Sequence, residues 1–377
     1  MNNKETYLVI TPFFPSEDAF VGSYVYDQIN EICKQSEFHI EIVKLVSFFS
    51  TEKDYIFKGF RVSVFKVIDI PFFIFPAIFN SLNKIRLKSF LKRQKINSVK
   101  FSHSHVSYPA SYLAEDLDCK KIVQHHGLDV LQLLNGRSRF ARKIQKNFLI
   151  KNSLNHLNKA DLNIGVSQLV LDKLNDFQGY NPKNELVLYN GVDTSKFFSL
   201  EKDCNKIFTI GCVANFWEIK DHITLIKSVK KIVEKGKEIK LRLIGSGPTL
   251  SFCEEFVKNN NLSKNIIFEK EIEHEKLNQF FNEIDLFVLP SYYEALGCVY
   301  LESWATNTPF IGVKNQGIAE LVPDSERMLV SEKNPNELAV KINFFINNDF
   351  KLTTVEEFSL ETTISNYLLN KIFRAND

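Results

Sequence analysis

Short apolar runs, rich in β-branched and aromatic residues, alternate along the chain with longer stretches of helical periodicity. That alternation predicts parallel α/β architecture. In the first half the expected strands are 7–10 (YLVI), 39–46, 98–105, 121–126 and 160–167. In the second half they are 207–214, 241–245, 266–270, 285–290 and 309–313. The stretch from about 183 to 205 breaks the rhythm with Asn190–Gly191 and a polar tail, and reads as a linker. The expected organisation is a Rossmann-like N-terminal domain over 1–190 and a second Rossmann-like domain over 191–358. A C-terminal helical stretch over 359–377 is expected to cross back to the first domain. Parallel sheets bind ligands beyond the carboxyl ends of their strands, so the loops that follow strands are where chemistry is expected.

Composition supports two cores, since 377 residues at 44% hydrophobic content exceed what one core needs. A formal net charge of only +2 gives no reason to expect a nucleic-acid partner. The charge is unevenly spread. Residues 1–190 carry 25 Lys and Arg against 18 Asp and Glu, which leaves 22 against 27 of the chain's 47 and 45 for the remainder. A basic first half beside an acidic second half suggests domains with different partners. Cys33, Cys119, Cys204, Cys212, Cys253 and Cys298 form no CxxC spacing, so they read as reduced cytosolic thiols rather than zinc ligands. The N-terminal YLVI reads as a strand and not a signal peptide, and no run approaches the roughly 20 apolar residues of a membrane span.

Two segments modify that picture. Residues 84–95 (KIRLKSFLKRQK) hold six basic and no acidic side chains, with Leu87, Phe90 and Leu91 at i, i+3 and i+4. Residues 137–151 hold six more basic residues and no acid, with Phe140, Ile144 and Phe148 on one helical face. Aromatic residues, among them Phe72, Phe73 and Phe75, fill the stretch 70–79. Basic amphipathic segments of this kind suggest docking on an anionic membrane; the alternative is ordinary core faces with solvated charges. With docking, the expected location is cytoplasmic and peripheral at the inner face of the cell membrane.

The densest candidate chemistry lies in 289–313, LPSYYEALGCVYLESWATNTPFIGV. A strand ends at Pro290, a loop carries Glu294 and Gly297, and a helix to about Ala305 carries Glu302. A helix N-terminus here would offer the N–H groups of Ala295, Leu296, Gly297 and Cys298 to a diphosphate. Ionised carboxylates only accept hydrogen bonds, so Glu294 suits sugar hydroxyls and Glu302 suits a ribose diol. The bland reading is a loop acid and a solvated helix acid.

This passage resembles the E-x7-E motif of the retaining family 4 glycosyltransferases, which have the GT-B fold. The resemblance extends over nearly the whole chain. TPFFPSEDAFVGSYVYDQI resembles the family's first loop and places Gly22 near the donor phosphates. HSHVSYPASYLA followed by KIVQHHGLDV resembles the HG-x-D segment and places His126, Gly127 and Asp129. ADLNIGVSQLVLDKL and LYNGVDTSKF match the end of the first domain and the crossing into the second. GCVANFWEIKDHITLI places Lys220, LRLIGSGP places Gly247, and NQGIAELV matches the loop after the E-x7-E helix. One departure stands out: where many relatives carry an arginine before the phosphate lysine, this chain reads Asn215–Phe216–Trp217.

The resemblance implies two Rossmann-like domains whose parallel sheets face a central cleft, and transfer with retention of configuration from a nucleotide sugar to a saccharide or lipid-linked acceptor in surface polysaccharide synthesis. His126 and Glu294 would face the reacting sugar, with His125 competing for the first role and an N-cap serving equally well for Asp129. Gly22, Lys220, Gly247, residues 295–298 and Glu302 would bind the donor. No cofactor or metal is expected, since the nucleotide sugar is a co-substrate and no DxD-like pair sits in a suitable loop. Three alternatives share the architecture: a sugar-nucleotide epimerase or inverting transferase, a silent sugar-nucleotide-binding subunit of an assembly complex, and a two-domain solute-binding protein.

Overall fold

A computed structural model of the chain describes residues 5–17, 19, 21–69, 78–127, 150–201, 207–350 and 352–374. Two compact units emerge. Unit 1 comprises Met1–Asn190 with Thr363–Asp377, and unit 2 comprises Gly191–Thr362. Phe72, Phe73, Phe75, Asp129, Cys204 and nearly all of the basic segment 137–151 lie outside the described residues.

Unit 1 is built on an eight-stranded sheet: β1 (Thr6–Thr11), β2 (His39–Ser47), β3 (Tyr55–Phe57), β4 (Phe60–Val67), β5 (Val99–His105), β6 (Lys120–His125), β7 (Leu162–Gly165) and β8 (Glu185–Val187). Their order is β3-β4-β2-β1-β5-β6-β7-β8. All pairings are parallel except β3 with β4. Strand β1 is buried at every residue, as expected of a parallel strand covered on both faces. Helix α1 (Ser23–Gln35) buries Val25, Ile29 and Ile32 at i, i+4 and i+7.

Three features differ from the sequence expectation. The hairpin of β3 and β4 lies in a stretch with no predicted strand; Lys58 (φ 44°) and Gly59 (φ 89°) form its two-residue turn, both in the left-handed region. Strand β8 falls inside the expected linker, where Asn163, Ile164 and Gly165 pair with Glu185, Leu186 and Val187. The third concerns α2 (Asn80–Arg93). Its face of Leu87, Phe90 and Leu91, read as available to lipid, packs instead with Leu8, Ile10, Val43, Leu45 and Phe65 in the core of unit 1. Burying three large side chains in a closed core stabilises the fold by several kcal/mol, on the order of 2 kcal/mol each, and outcompetes a superficial membrane contact. Of the six basic residues, Lys84 pairs with Glu115 and Asp116, and Arg86 lies over the rings of Phe65 and Phe48. Lys88, Lys92, Arg93 and Lys95 are exposed.

Unit 2 contains a six-stranded sheet of β9 (Phe208–Val213), β10 (Ile239–Ile244), β11 (Ile266–Glu269), β12 (Leu286–Val288), β13 (Phe310–Val313) and β14 (Leu329–Val330). The order is β11-β10-β9-β12-β13-β14, parallel throughout. Helix α3 (His222–Glu234) follows β9, α4 (Leu250–Asn259) follows β10, α5 (Leu277–Glu283) precedes β12, α6 (Cys298–Ala305) follows β12, and α7 (Pro335–Asn347) follows β14. Gly211 in β9 allows α5 to pack closely, since a Cβ there would lie 2.5 Å from the Ile284 side chain and 2.6 Å from that of Phe280.

The chain enters and leaves unit 2 side by side. The Val192 N–H donates to the Phe358 carbonyl (3.0 Å), and the Leu360 N–H donates to the Val192 carbonyl (2.8 Å). Helix α8 (Leu360–Leu368) then carries the chain back into unit 1. There the Tyr367 hydroxyl meets the Tyr7 hydroxyl at 2.7 Å, and Phe373 packs on Phe101 with ring centroids 5.0 Å apart. Among the described residues no helix is long and apolar enough to cross a membrane.

Candidate active site

Each sheet has a topological switch point, where neighbouring strands send the chain in opposite directions and the ends of the loops leave room for a ligand. In unit 2 it lies between β9 and β12: β9 leads to β10 on one side and β12 to β13 on the other. In unit 1 it lies between β1 and β5.

The unit 2 switch point gathers most of the sequence-predicted donor residues. After β9 a 3-10 turn, Glu218–Lys220, delivers Lys220. After β12 the loop folds onto that turn: the Tyr292 N–H donates to the Ile219 carbonyl (3.1 Å), as does the Ser291 hydroxyl (3.1 Å). These backbone anchors bring Lys220 Nζ into an ion pair with Glu294 Oε2. The Glu294 N–H donates to Gln316 Oε1 (2.8 Å), and the Gly317 N–H donates to the Glu294 carbonyl (3.2 Å). A side chain at Gly317 is excluded, since its Cβ would lie 1.7 Å from the Ala295 carbonyl oxygen. The Glu294 loop is therefore clamped from two sides by backbone.

Helix α6 starts at Cys298 with Gly297 as its N-cap, at φ 82°. Of the four N–H groups expected at a helix N-terminus, only that of Cys298 belongs to the helix; Ala295, Leu296 and Gly297 lie in the loop ahead of it, and the Leu296 side chain is buried. Glu302 sits in the second turn and is 8% exposed. Its Oε1 lies 3.3 Å from His274 Nε2, and its buried Oε2 has no hydrogen-bond partner among the described residues. Gly247 closes the loop after β10 onto the loop after β9; its φ is 148°, and a Cβ there would lie 2.6 Å from the Phe216 carbonyl oxygen. At the position where an arginine is expected, the exposed Trp217 lines a cavity of about 470 Å³ together with Asp221, Lys227, Phe252, Tyr292 and Lys333.

Titration states narrow the chemistry. Burial pushes the Cys212 thiol up to about 12, so it carries no thiolate near neutrality. Burial, reinforced by the charge of Lys220, lowers His222 to about 4, and the neutral ring stacks on Phe216 at 3.9 Å. Among the described residues no three His, Cys, Asp or Glu side chains converge as a metal-binding group.

At the unit 1 switch point, Gly22 caps α1 at φ 90°, and its missing side chain lets it approach Phe13, whose carbonyl carbon would be 2.5 Å from a Cβ. Two residues on, the Tyr24 ring lies 4.8 Å from that of His126. His126 follows the end of β6, with Gly127 (φ 92°) after it, while the competing His125 is fully buried within the strand. The His126 Nε2 is 2.9 Å from His105 Nδ1. Thus Gly22 and His126 share one corner of unit 1, while Lys220, Gly247 and Glu294 lie in turns and loops that follow strands of unit 2 and Glu302 lies in helix α6. Gln316, His274 and His105 were not singled out by the sequence reading, although the stretches holding Gln316 and His105 were.

Known proteins resemble this chain over both units. The family model described as Glycosyltransferase Family 4 matches residues 21–196, and that described as Glycosyl transferases group 1 matches 193–359. An uncharacterized glycosyltransferase of Methanocaldococcus jannaschii is 30% identical over 261 residues, 68% of either chain. The capsular polysaccharide biosynthesis glycosyltransferase CapM of Staphylococcus aureus is 30% identical over 179 residues, 44% of this chain and 46% of that one. The crystal structure of Anabaena HepE in complex with UDP and glucose superposes with a TM-score of 0.70 at 16% identity, covering 96% of this chain and 97% of that one. Two parallel-sheet units and this kinship across both halves place the chain in glycosyltransferase family 4, as a transferase of the GT-B fold.

Proposed function

We propose that the chain is a retaining glycosyltransferase that moves a sugar from a nucleoside diphosphate, with UDP as the first candidate, to a lipid-linked acceptor in the assembly of a surface polysaccharide. The observation that carries the donor assignment is the buried, unpartnered Oε2 of Glu302. A buried acceptor without a donor costs roughly 1–3 kcal/mol, and more when charged, so the site is completed by a ligand that brings hydroxyl groups. A ribose diol has that chemistry, and UDP in the HepE complex and the capsular role in the name of CapM support the class.

The reaction breaks the bond between the anomeric carbon and the diphosphate oxygen. Negative charge grows on the leaving phosphate as positive charge develops at the carbon. Lys220 exchanges its partner Glu294 for the phosphate, and the Cys298 N–H at the start of α6 adds a fixed positive dipole. Glu294, released, accepts from the sugar hydroxyls. No nucleophile is placed by the sequence, and a front-face route assisted by the leaving phosphate fits retention.

Nucleotide sugars screened for thermal stabilisation test the proposal, since a ligand at 100 times its Kd adds about 2.7 kcal/mol to the native state. One UDP sugar is expected to raise Tm by several degrees, and the transferred sugar is expected to keep its anomeric configuration in NMR spectra of the product. If no nucleotide or nucleotide sugar raises Tm, the donor assignment is wrong; an inverted product removes retention alone.

The lipid-linked acceptor rests on α2. Besides its core face, it exposes Leu82 and Ile85, with Ile78 just ahead of it, next to the solvent-facing Lys88, Lys92 and Arg93. Apolar side chains flanked by unpaired cations suit an anionic membrane surface.

A further inference from the structure

Strand β5 ends in the sequence His103–Ser104–His105, and alternation along a strand sends both imidazoles to one face of the sheet. Both are fully buried, and their rings stack with centroids 4.2 Å apart at 27°. Each ring is bonded through its Nδ1, one at either end of the pair. On one side His103 Nδ1 meets the Tyr7 hydroxyl at 2.7 Å, which in turn meets the Tyr367 hydroxyl at 2.7 Å. On the other side His105 Nδ1 meets His126 Nε2 at 2.9 Å, with the two rings nearly coplanar in orientation at 11°. A row of aromatic side chains thus runs from the C-terminal helix through the core of unit 1 to the residue that sequence and family resemblance set against the donor sugar.

We infer that His105 is a positioning residue for glycosyl transfer: its bond to His126 fixes the ring plane and the tautomer of His126, and the stack on His103, tied to Tyr7 and Tyr367, holds His105 itself in place. The inference rests on the reading of His126 as the residue that faces the donor sugar. A neutral imidazole has one N–H and one bare nitrogen, and a bond between Nδ1 of one ring and Nε2 of another needs opposite states at the two atoms. The state of His105 Nδ1 therefore dictates which nitrogen of His126 carries its proton. His105 is suited to that task because burial, and then the neighbouring His103 and His126, hold it well below the ordinary histidine range. Burial thus favours its neutral form, the form with one N–H and one bare nitrogen. Tyr24, which follows the Gly22 loop, closes the ring of His126 from the side of α1.

The test uses His105→Leu, which removes the bond, and His105→Asn, whose side-chain amide places a hydrogen-bonding atom near the former Nδ1. Turnover is read as UDP released from UDP-glucose and UDP-N-acetylglucosamine, binding is read as calorimetric Kd for UDP alone, and the tautomer is read from 15N-histidine spectra. In His105→Leu, kcat is expected to fall at least tenfold while the Kd for UDP stays within twofold, and the His126 nitrogens are expected to show a tautomer mixture. His105→Asn is expected to restore kcat to within about threefold of the parent and return His126 to one tautomer. The double variant His105→Leu/His126→Ala is expected to be no slower than His126→Ala alone, because the two residues act through one bond. Equal losses of kcat in the Leu and Asn variants, or His126 resonances untouched by His105→Leu, overturn the inference. Full turnover in His126→Ala removes the reading beneath it; normal turnover in His105→Leu beside an impaired His126→Ala removes this inference alone. The spectra decide the tautomer claim even if neither donor is turned over.

Discussion

Two glutamates eight residues apart occupy opposite electrostatic situations. Glu294 is held by Lys220 on a clamped loop, whereas Glu302 is buried in a helix with one oxygen near His274 and the other unpartnered. Their loss should register differently. Glu302→Ala removes an interaction made equally before and during the reaction, so the donor Kd is expected to rise about tenfold to a hundredfold, in line with the roughly 1.5–3 kcal/mol of a charged hydrogen bond, with kcat little changed. Glu294→Ala removes contacts that tighten as the sugar distorts and leaves Lys220 without its carboxylate, so kcat is expected to drop on the order of 10²-fold. Steady-state kinetics with calorimetric binding separates the two, and the same effect in both variants sinks the division of roles. The sequence named both acids and Lys220, but not the ion pair, because Lys220 and Glu294 are 74 positions apart and only the anchoring of Tyr292 and Ser291 on Ile219 brings them together. His274 escaped for a similar reason: nothing local links it to an acid 28 positions later.

Elements were legible where a pattern had one meaning. The parallel strands β1 and β9 are largely apolar, buried runs, β10 alternates with Lys240 exposed, and all three stand where the pattern sets them. The β3–β4 hairpin carries a readable sign, Lys58–Gly59 between apolar residues, but the α/β rhythm expects helices between strands. Helix α2 was ambiguous in principle. Apolar residues at 82, 85, 87, 90 and 91 surround the helix, and periodicity alone does not say which stripe meets the core. The structure separates them, and the separation predicts two phenotypes. Leu87→Ala is expected to cost about 2–5 kcal/mol of stability by denaturant melt. Leu82→Ser with Ile85→Ser is expected to change stability by less than about 0.5 kcal/mol, yet to weaken sedimentation with anionic vesicles at low salt. Vesicle binding that survives the double variant would turn the exposed stripe into plain surface, and no binding by the parent would make a soluble acceptor the better reading.

At the scale of the molecule, buried histidines divide the two units by acid tolerance. Burial lowers His103 to about 3, helped by the charge of His126, and lowers His156 to about 4; both are in unit 1, as is His105. Unit 2 has His222, at about 4. Each of these folded-state values lies below the unfolded value near 6.5, so the unfolded chain takes up protons first as pH falls. Their contribution to stability is complete above about pH 6.5 and is lost as pH drops toward 4, at about 2 kcal/mol for each of His156 and His222 by pH 5. Unit 1, with more such groups, is expected to lose amide protection at a higher pH than unit 2 in hydrogen-exchange measurements from pH 7 to 4. Simultaneous loss in both units, or earlier loss in unit 2, contradicts this ordering.

The return of the chain to unit 1 has a consequence for how the protein is made. Tyr7, Phe38 and Phe101 complete their aromatic cluster only with Tyr367 and Phe373, which are synthesised after unit 2. Unit 2, by contrast, closes on itself as soon as Leu360 reaches Val192. On the ribosome, then, the half that emerges first is the half that finishes last. Its sheet waits for some 170 intervening residues to be translated, an interval of about 10–30 s at the usual 5–20 residues per second, with the stacked histidines beneath an unfinished wall. A nascent chain arrested before Tyr367 should already protect β9 and β10 from protease while leaving β1 and β5 open to it.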